Sequence, residues 1–396
     1  MTEWQVTAGA LTKTLWDVAI VGGGPSGAIA ALHLARSGQR VVVLERALYP
    51  REKVCGDALI PDAIRALDRA GLLGAVESRA AETSTLQVFS PSMIGMTLSM
   101  RALTIKRIEL DAILAEAAVE AGAVVAQGQV ERVDAGKVAQ LVIRGLQEPL
   151  TAKVAIIATG AETRLLSPLG MLSRAEPSVI AVRRYIRSNA KLEHLVFSFD
   201  RTIAPGYAWL FPLRDGEFNV GCGMAYRHHR INLSETLDRF LYKFEPLREV
   251  AENITHVTPL RGAVLRCGLT GAVALRPPNV LAIGESLGAT FPLTGEGIGK
   301  AMDTGELAAC IVLRSLAAGD LSILASFPSA LDSLRARYRG YEIAERWVAT
   351  PWLADLVIRL GRRSSYAASC AAAVLNETAD PREVFSISAL LKMLYS

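Results

Sequence analysis

The sequence predicts an α/β fold organised around a dinucleotide-binding βαβ unit, with a strand-rich middle third and a helical C-terminal region. Three observations predict it. Between Asp17 and Arg46, DVAIVGGGPSGAIAALHLARSGQRVVVLER, a glycine-rich turn separates two short apolar runs. From Ser178 to Gly223 the pattern is strand-rich, and the last 65 residues carry apolar positions at helical spacing.

The first unit explains itself residue by residue. Val18 to Val21 is β-branched and apolar, as a strand buried on both faces must be. It breaks into Gly22, Gly24 and Gly27, spaced G-x-G-x-x-G, and a helix-compatible segment beginning with Pro25 and Ser26 runs to Arg36. Gly22 allows the tight turn, Gly24 lets a pyrophosphate approach the backbone, and Gly27 lets helix and strand pack closely. The anion then sits on the unpaired N–H groups of the helix N-terminus. Ser37-Gly38 ends the helix, and Val41 to Leu44 forms a second buried strand closed by Glu45. A carboxylate there, 23 residues after Gly22, can accept both hydroxyls of a ribose.

Composition sets bounds. With 396 residues the chain suits two domains, or one large domain with an insertion. It is 51% hydrophobic with a mean hydropathy of +0.28, yet no apolar run reaches the roughly 18 residues of a membrane span. The nucleotide strand starts at Asp17, which argues against a removable signal peptide. A dispersed net charge of +4 gives no ground for nucleic acid. Cys55, Cys222, Cys267, Cys310 and Cys370 contain no C-x-x-C pair, which predicts a reducing cytoplasm and no structural zinc. His228-His229, between Arg227 and Arg230, reads as a solvated turn rather than a ligand pair.

Along the chain, residues 1 to 14 read as a loose lead-in. Tyr49 to Pro61, YPREKVCGDALIP, is polar and Pro-bounded and reads as a loop. A helix is expected over Asp62 to Ala70, and antiparallel strands over 85 to 106. Arg107 opens a helix with Ile108, Leu110, Ile113, Leu114 and Ala117 on one face. Gly122 ends it, and two short strands precede the buried run Val154 to Ala158, which closes at Thr159-Gly160. Asp215-Gly216 marks a hairpin, Leu233 to Lys243 a helix, and Val280 to Ile283 a buried strand ending in Gly284-Glu285. FPLTGEGIGK, Phe291 to Lys300, then leads into a long helix.

These motifs resemble the FAD-dependent, p-hydroxybenzoate hydroxylase-like superfamily: the dinucleotide turn, Arg107 with Asp111 at a helix start, and GESLGATFPLTGEGIGKAM. R-x-K-x-C-G at Arg51 to Gly56, PGYAWLFP at Pro205 to Pro212 and NVG at Asn219 to Gly221 resemble the geranylgeranyl reductase family within it. The resemblance covers most of residues 17 to 320. It implies a discontinuous FAD-binding domain of Rossmann-like type (1–84, 105–165 and 270–330), a mixed or antiparallel-sheet substrate domain (85–104 and 166–269), and a helical C-terminal region (331–396).

It also implies roles. Gly22, Gly24, Gly27 and Glu45 hold the ADP half of FAD, with Arg107 nearby, and Pro25, Ser26, Arg46 and Gly160 are further cofactor-binding positions. Gly284 and Glu285 meet the ribityl and pyrophosphate; the family's usual residue at Glu285 is Asp. Pro292, Gly295, Gly297 and Ile298 complete the set. A helix starting near Gly297 either is simply capped there or aims its positive end at flavin N1 and the C2 carbonyl. Tyr207, Trp209 and Phe211 alternate, so a strand puts them on one face, as sheet core or as the wall of an apolar substrate cavity. Cys55 is either a small buried hydrophobe or an active-site proton donor or positioning group.

The functions this allows are reduction of a prenyl carbon–carbon double bond, oxygen-dependent hydroxylation of a small molecule or a protein side chain, and flavin-dependent halogenation. A flavin-binding assembly factor would leave the catalytic frame unused. Gly160-Ala161-Glu162-Thr163 stands where hydroxylases usually carry Asp-Gly, which favours the reductase. Lys53 as a halogenase-type lysine competes with a plain surface lysine. The implied partners are an apolar small molecule or lipid and an electron donor: NAD(P)H, a ferredoxin or a separate reductase. The segment Val384 to Leu394 either touches a membrane peripherally or packs on the protein's own core.

Overall fold

The computed structural model describes residues 4–228, 231–384 and 388. Apolar strands without alternation need cover on both faces, and Val18–Val21 and Val41–Leu44 are buried in the middle of a sheet. Its strands run in the order Gln5–Thr7, Val124–Gln127, Val41–Glu45, Leu15–Val21, Leu150–Ile157, Val280–Ala282, Leu275–Arg276. All but the last are parallel to their neighbours. Leu275–Arg276 and the hairpin Val130–Asp134/Ala139–Ile143 add antiparallel margins. The helices Pro25–Arg36, Arg107–Glu120 and Ile298–Ala318 are packed together, the first between the other two.

The second sheet orders Ile254–Val257, Val179–Ser188, Glu217–Ala225, Gly206–Pro212, Leu195–Ser198, Ala81–Phe89, Gly95–Thr104 and Ala58–Leu59, with Arg261–Leu265 also on Val179–Ser188. It is antiparallel except where Leu195–Ser198 meets Ala81–Phe89. The alternation along Gly206–Pro212 divides its faces. Ala208 and Leu210 join Leu237, Phe240 and Leu241 of the Leu233–Lys243 helix, while Trp209 and Phe211 join a separate cluster on the other side.

Several expectations shift. The N-terminus is no loose lead-in: Gln5–Thr7 pairs with Val124–Gln127, and the Gln5 side chain bonds Ala47 O and Tyr49 N at 3.0 and 2.9 Å. Three strands, not two, separate Gly122 from the Leu150–Ile157 strand, because Val130–Asp134 and Ala139–Ile143 form a hairpin. Ala58–Leu59, read as loop, pairs with the end of Gly95–Thr104, and the next strand begins at Ala81 rather than 85. His229 lies outside the described residues; Tyr226–His228 is a 3-10 turn. Most of the 384–394 segment also lies outside them.

The C-terminal helices Ser326–Val348, Pro351–Arg363 and Ser365–Leu375 are tied back to the first sheet's helices through a buried cation. Lys300 is 2% exposed, and its Nζ lies 3.1 Å from Asp62, 3.1 Å from Asp303 and 3.0 Å from Glu377, just past the last of these helices. Phe291 stacks on Tyr341 at 4.0 Å beside it. Among the described residues no helix is long and apolar enough to cross a membrane.

Candidate active site

The turn after the Leu15–Val21 strand is built by close packing. Gly22 has φ 103°, and its N–H donates to the Leu44 carbonyl at 2.9 Å. A Cβ on Gly22 would lie 2.4 Å from the Ala158 carbonyl oxygen, and one on Gly27 would lie 2.0 Å from the Gly22 carbonyl oxygen. Any side chain at either position would push the helix off the sheet edge. Pro25 sits in the first helical turn, no side chain caps that end, and Gly24, Pro25 and Ser26 face the cavity. In the Cβ direction of Gly24, the nearest atoms beyond its chain neighbours are guanidinium nitrogens, Arg51 at 3.7 Å and Arg107 at 3.9 Å.

The two guanidiniums are held in place. Arg107 grips Asp111 through two bonds of 2.7 and 2.9 Å, and Arg51 spans Asp111 at 3.0 Å and Glu45 at 3.2 Å. An open helix N-terminus faced by two fixed guanidiniums is an anion cradle that fits a pyrophosphate. Glu45 accepts the Gly23 N–H at 2.9 Å and the Ala47 N–H at 3.1 Å. Its carboxylate thus tightens the turn as well as ending the strand. Arg46 is exposed, 3.7 Å from Glu162.

A cavity of about 1020 Å³ runs from this cradle across the second sheet to the C-terminal helices. Gly160, Glu285, Pro292, Gly295, Gly297, Ile298, Cys55, Tyr207, Trp209 and Phe211 all line it. Gly27 and Gly284 lie beneath the wall, Gly284 donating to Thr304 Oγ1 at 3.0 Å. Glu285 accepts the Arg266 N–H at 3.3 Å and faces Lys53 at 3.9 Å, so the loop lysine is a carboxylate partner. The start of the Ile298–Ala318 helix is less open than expected, because Glu296 accepts the Gly299 N–H at 2.8 Å from a buried position. Burial and the nearby Asp62 push the Glu296 carboxyl well up. A Cβ on Gly297 would lie 2.7 Å from Thr290 Oγ1, so a substitution there acts by steric clash before charge.

The far wall is aromatic. Tyr207, Trp209 and Phe211 follow one another with centroids 5.9 and 6.1 Å apart, and Phe197 packs 5.4 and 5.0 Å from Tyr207 and Phe211. The Tyr207 hydroxyl donates to the Thr294 carbonyl at 2.6 Å, tying this wall to the Pro292–Gly297 turn. Further apolar lining comes from Val88, Met96 and Leu98 of the sheet and from Ile358 and Leu375 of the C-terminal helices, with Glu345 of the Ser326–Val348 helix also on the cavity wall. Cys55 stands between the cradle and the aromatic wall. Burial pushes its thiol up, against the pull of the Arg107 guanidinium, so the sulfur keeps its proton at neutral pH.

Sequence reasoning missed Arg51 and Asp57 as members of the site, and gave Asn219 no role. Asp57 is fully buried in a left-handed conformation, φ 65°, accepting from the Tyr185 hydroxyl at 2.7 Å and the Asn219 amide at 2.8 Å. Burial raises it to about 6, only partly offset by those two donors. The folded protein therefore holds a proton on Asp57 between about pH 4 and 6 that the unfolded chain releases, and stability from this group rises as pH falls through that window. The shift corresponds to about 3 kcal/mol. Urea melts should show that slope, and Asp57→Asn should flatten it; an unchanged slope would mean Asp57 does not titrate there.

The family described as FAD binding domain matches residues 16–303. A menaquinone reductase of Mycolicibacterium smegmatis is 30% identical over 358 residues, 84% of each chain. A digeranylgeranylglycerophospholipid reductase of Methanosarcina acetivorans is 25% identical over 333 residues, 78% of each chain. A geranylgeranyl bacteriochlorophyll reductase-like protein of Thermoplasma acidophilum shares the fold, with a TM-score of 0.77 and 22% identity over 96% of each chain.

Proposed function

The chain belongs to the FAD-binding domain family and is an FAD-dependent oxidoreductase, and from that premise we propose that it reduces a carbon–carbon double bond in a prenyl chain. The observation that carries this reading is the single cavity joining the anion cradle to a long apolar lobe past Trp209. Relatives named for menaquinone and for a digeranylgeranyl lipid point to the same substrate class.

In this reading residues of the first sheet and its helices bind FAD, those of the second sheet bind substrate, and the C-terminal helices roof the apolar lobe. Gly22, Gly24, Pro25, Ser26, Gly27, Glu45, Arg46 and Arg107 hold the ADP half, with Arg51 added. Gly160, Gly284 and Glu285 meet the ribityl and pyrophosphate, and Pro292, Gly295, Gly297 and Ile298 frame the isoalloxazine. Bound FAD supplies the hydride. Tyr207, Trp209 and Phe211 exclude water and grip the chain, and Cys55 holds on its sulfur the proton destined for the second alkene carbon. Electrons reach the flavin from NAD(P)H, a ferredoxin or a separate reductase, since one G-x-G-x-x-G is present in the sequence.

Two tests follow. Glu45→Ala removes charged hydrogen bonds of about 1.5–3 kcal/mol each and should lower FAD affinity at least about tenfold; undiminished FAD retention would remove Glu45 from the cofactor site. With enzyme reduced anaerobically, adding a digeranylgeranyl lipid, or a menaquinol whose ring is already reduced and accepts no electrons, should restore the oxidised flavin spectrum. A flavin that stays reduced with every prenyl lipid sinks the substrate reading.

A lipid substrate also requires contact with the bilayer that holds it. The helix Pro351–Arg363 lines the lobe with Ala354 and Ile358 while exposing Trp352 at 65%, together with Arg359, Arg362 and Arg363. An indole beside arginines suits an anionic membrane surface. Co-sedimentation with anionic vesicles should fall in Trp352→Ala; binding no better than that of a non-membrane control protein would end the membrane claim.

A further inference from the structure

Asn219 has no part in the chemistry above, yet its side chain joins three segments around the cavity. It is fully buried. Its Oδ1 accepts the Trp209 indole N–H at 2.9 Å, and its Nδ2 donates to the Cys55 carbonyl at 2.8 Å and to Asp57 Oδ2 at 2.8 Å. Among neutral side chains only Asn and Gln offer an acceptor and two donors in one plane. A carboxylate at 219 would face Asp57, and a hydroxyl could not reach all three partners.

The surroundings show why this amide matters. Trp209 pairs with Gly221 across the two strands, and a Cβ on Gly221 would fall 2.2 Å from the indole Cζ2. On another side, a Cβ on Gly56 would lie 3.6 Å from the indole Nε1 and 3.1 Å from Phe211 Cε2. The ring is thus seated on the Gly221 backbone and bordered by the Cys55–Gly56 loop. That loop has no ladder to fix it: residues 46 to 57 contain neither helix nor strand. The strand ladder sets the Trp209 Cα, and the Ile105 N–H holds the loop's end by donating to the Asp57 carbonyl at 3.0 Å; the turn of the indole and the place of Cys55 also use side-chain bonds, and Asn219 supplies one to each.

We propose that Asn219 is a positioning residue, fixing the Trp209 ring and the Cys55 loop relative to each other so that an apolar chain is held in one register beside the thiol. What passes through that gap rests on the function proposed above; the positioning itself does not. The test uses the FAD-loaded full chain and needs no substrate for its first readout. Alkylation of Cys55 by iodoacetamide is followed by mass spectrometry and normalised to the exposed Cys310. In Asn219→Ala, FAD content should stay at the parent level, while Cys55 alkylation rises about tenfold and kcat falls about tenfold, with KM within about threefold. Trp209→Phe keeps an aromatic ring but removes the N–H donor to Asn219 together with the fused ring seated on Gly221, and should move alkylation the same way. If Asn219→Ala fails to retain FAD, Trp209→Phe decides alone by the same criterion. Alkylation within about twofold of the parent in the variants that fold, or faster alkylation with unchanged kcat, overturns the proposal. Faster alkylation in a protein that reduces no prenyl lipid leaves the positioning intact and removes the substrate reading instead.

Discussion

Lys300→Met is expected to cost about 3–5 kcal/mol of folding stability, the price of breaking a buried ion pair from one side. Asp62 has a side chain 2% exposed and, among the described residues, no cation within ion-pair distance other than Lys300. Glu377 keeps Arg337 at 3.2 Å and Arg65 at 3.8 Å. Burial and the neighbouring Glu377 already push Asp62 up to about 7, so without the ammonium it is left as a buried acid with no partner. Because Glu377 lies just past the Ser365–Leu375 helix, the loss loosens the roof of the apolar lobe as well as the start of the Ile298–Ala318 helix. Replacing Asp62 by Leu in the same chain should recover most of the loss, since apolar residues often substitute for a buried pair without cost. Urea denaturation of both variants measures this, and a single mutant as stable as the parent would show that the cluster contributes nothing.

Trp209→Ala has the other large expected effect. The ring is 7% exposed, stacked on Phe211, seated on Gly221 and hydrogen-bonded to Asn219. Truncation should cost about 3–5 kcal/mol as cavity and lost contacts. It should also weaken long prenyl substrates more than short ones, because each buried methylene contributes about 0.8 kcal/mol. Comparing kcat/KM across a chain-length series in parent and variant reads this directly. A uniform loss at every length would place Trp209 in the sheet core and off the substrate path.

How far the sequence could be read follows from where each interaction lies along the chain. The glycine turn, its flanking strands and Glu45 are close in sequence, so their spacing carried the expectation of FAD that the family match shows. The Leu233–Lys243 helix was legible for the same reason, with its apolar face recurring at helical period. Gln5–Thr7 was not, because a three-residue strand has no period of its own and exists only through Val124–Gln127. Lys300 meets Asp62 and Glu377 from distant parts of the chain, and nothing local marks a buried lysine. Arg51 opened a recognised motif and Asp57 directly followed it, but a charged residue in a loop carries no sign of being turned inward. Ile358 and Leu375 lie in the C-terminal stretch read only as amphipathic helices; that their faces roof a cavity depends on how three helices settle on the second sheet.

The central claim is that the bound flavin reduces an apolar alkene and does not activate oxygen. The most direct measurement incubates chemically reduced, FAD-loaded enzyme with a prenyl lipid in strict absence of oxygen, and repeats it under labelled dioxygen. The account predicts an anaerobic product carrying two more hydrogens than the substrate, with no label taken up when oxygen is present. Product that forms only after oxygen is admitted, with one labelled oxygen atom incorporated, would make the protein a monooxygenase on the same frame and contradict the account.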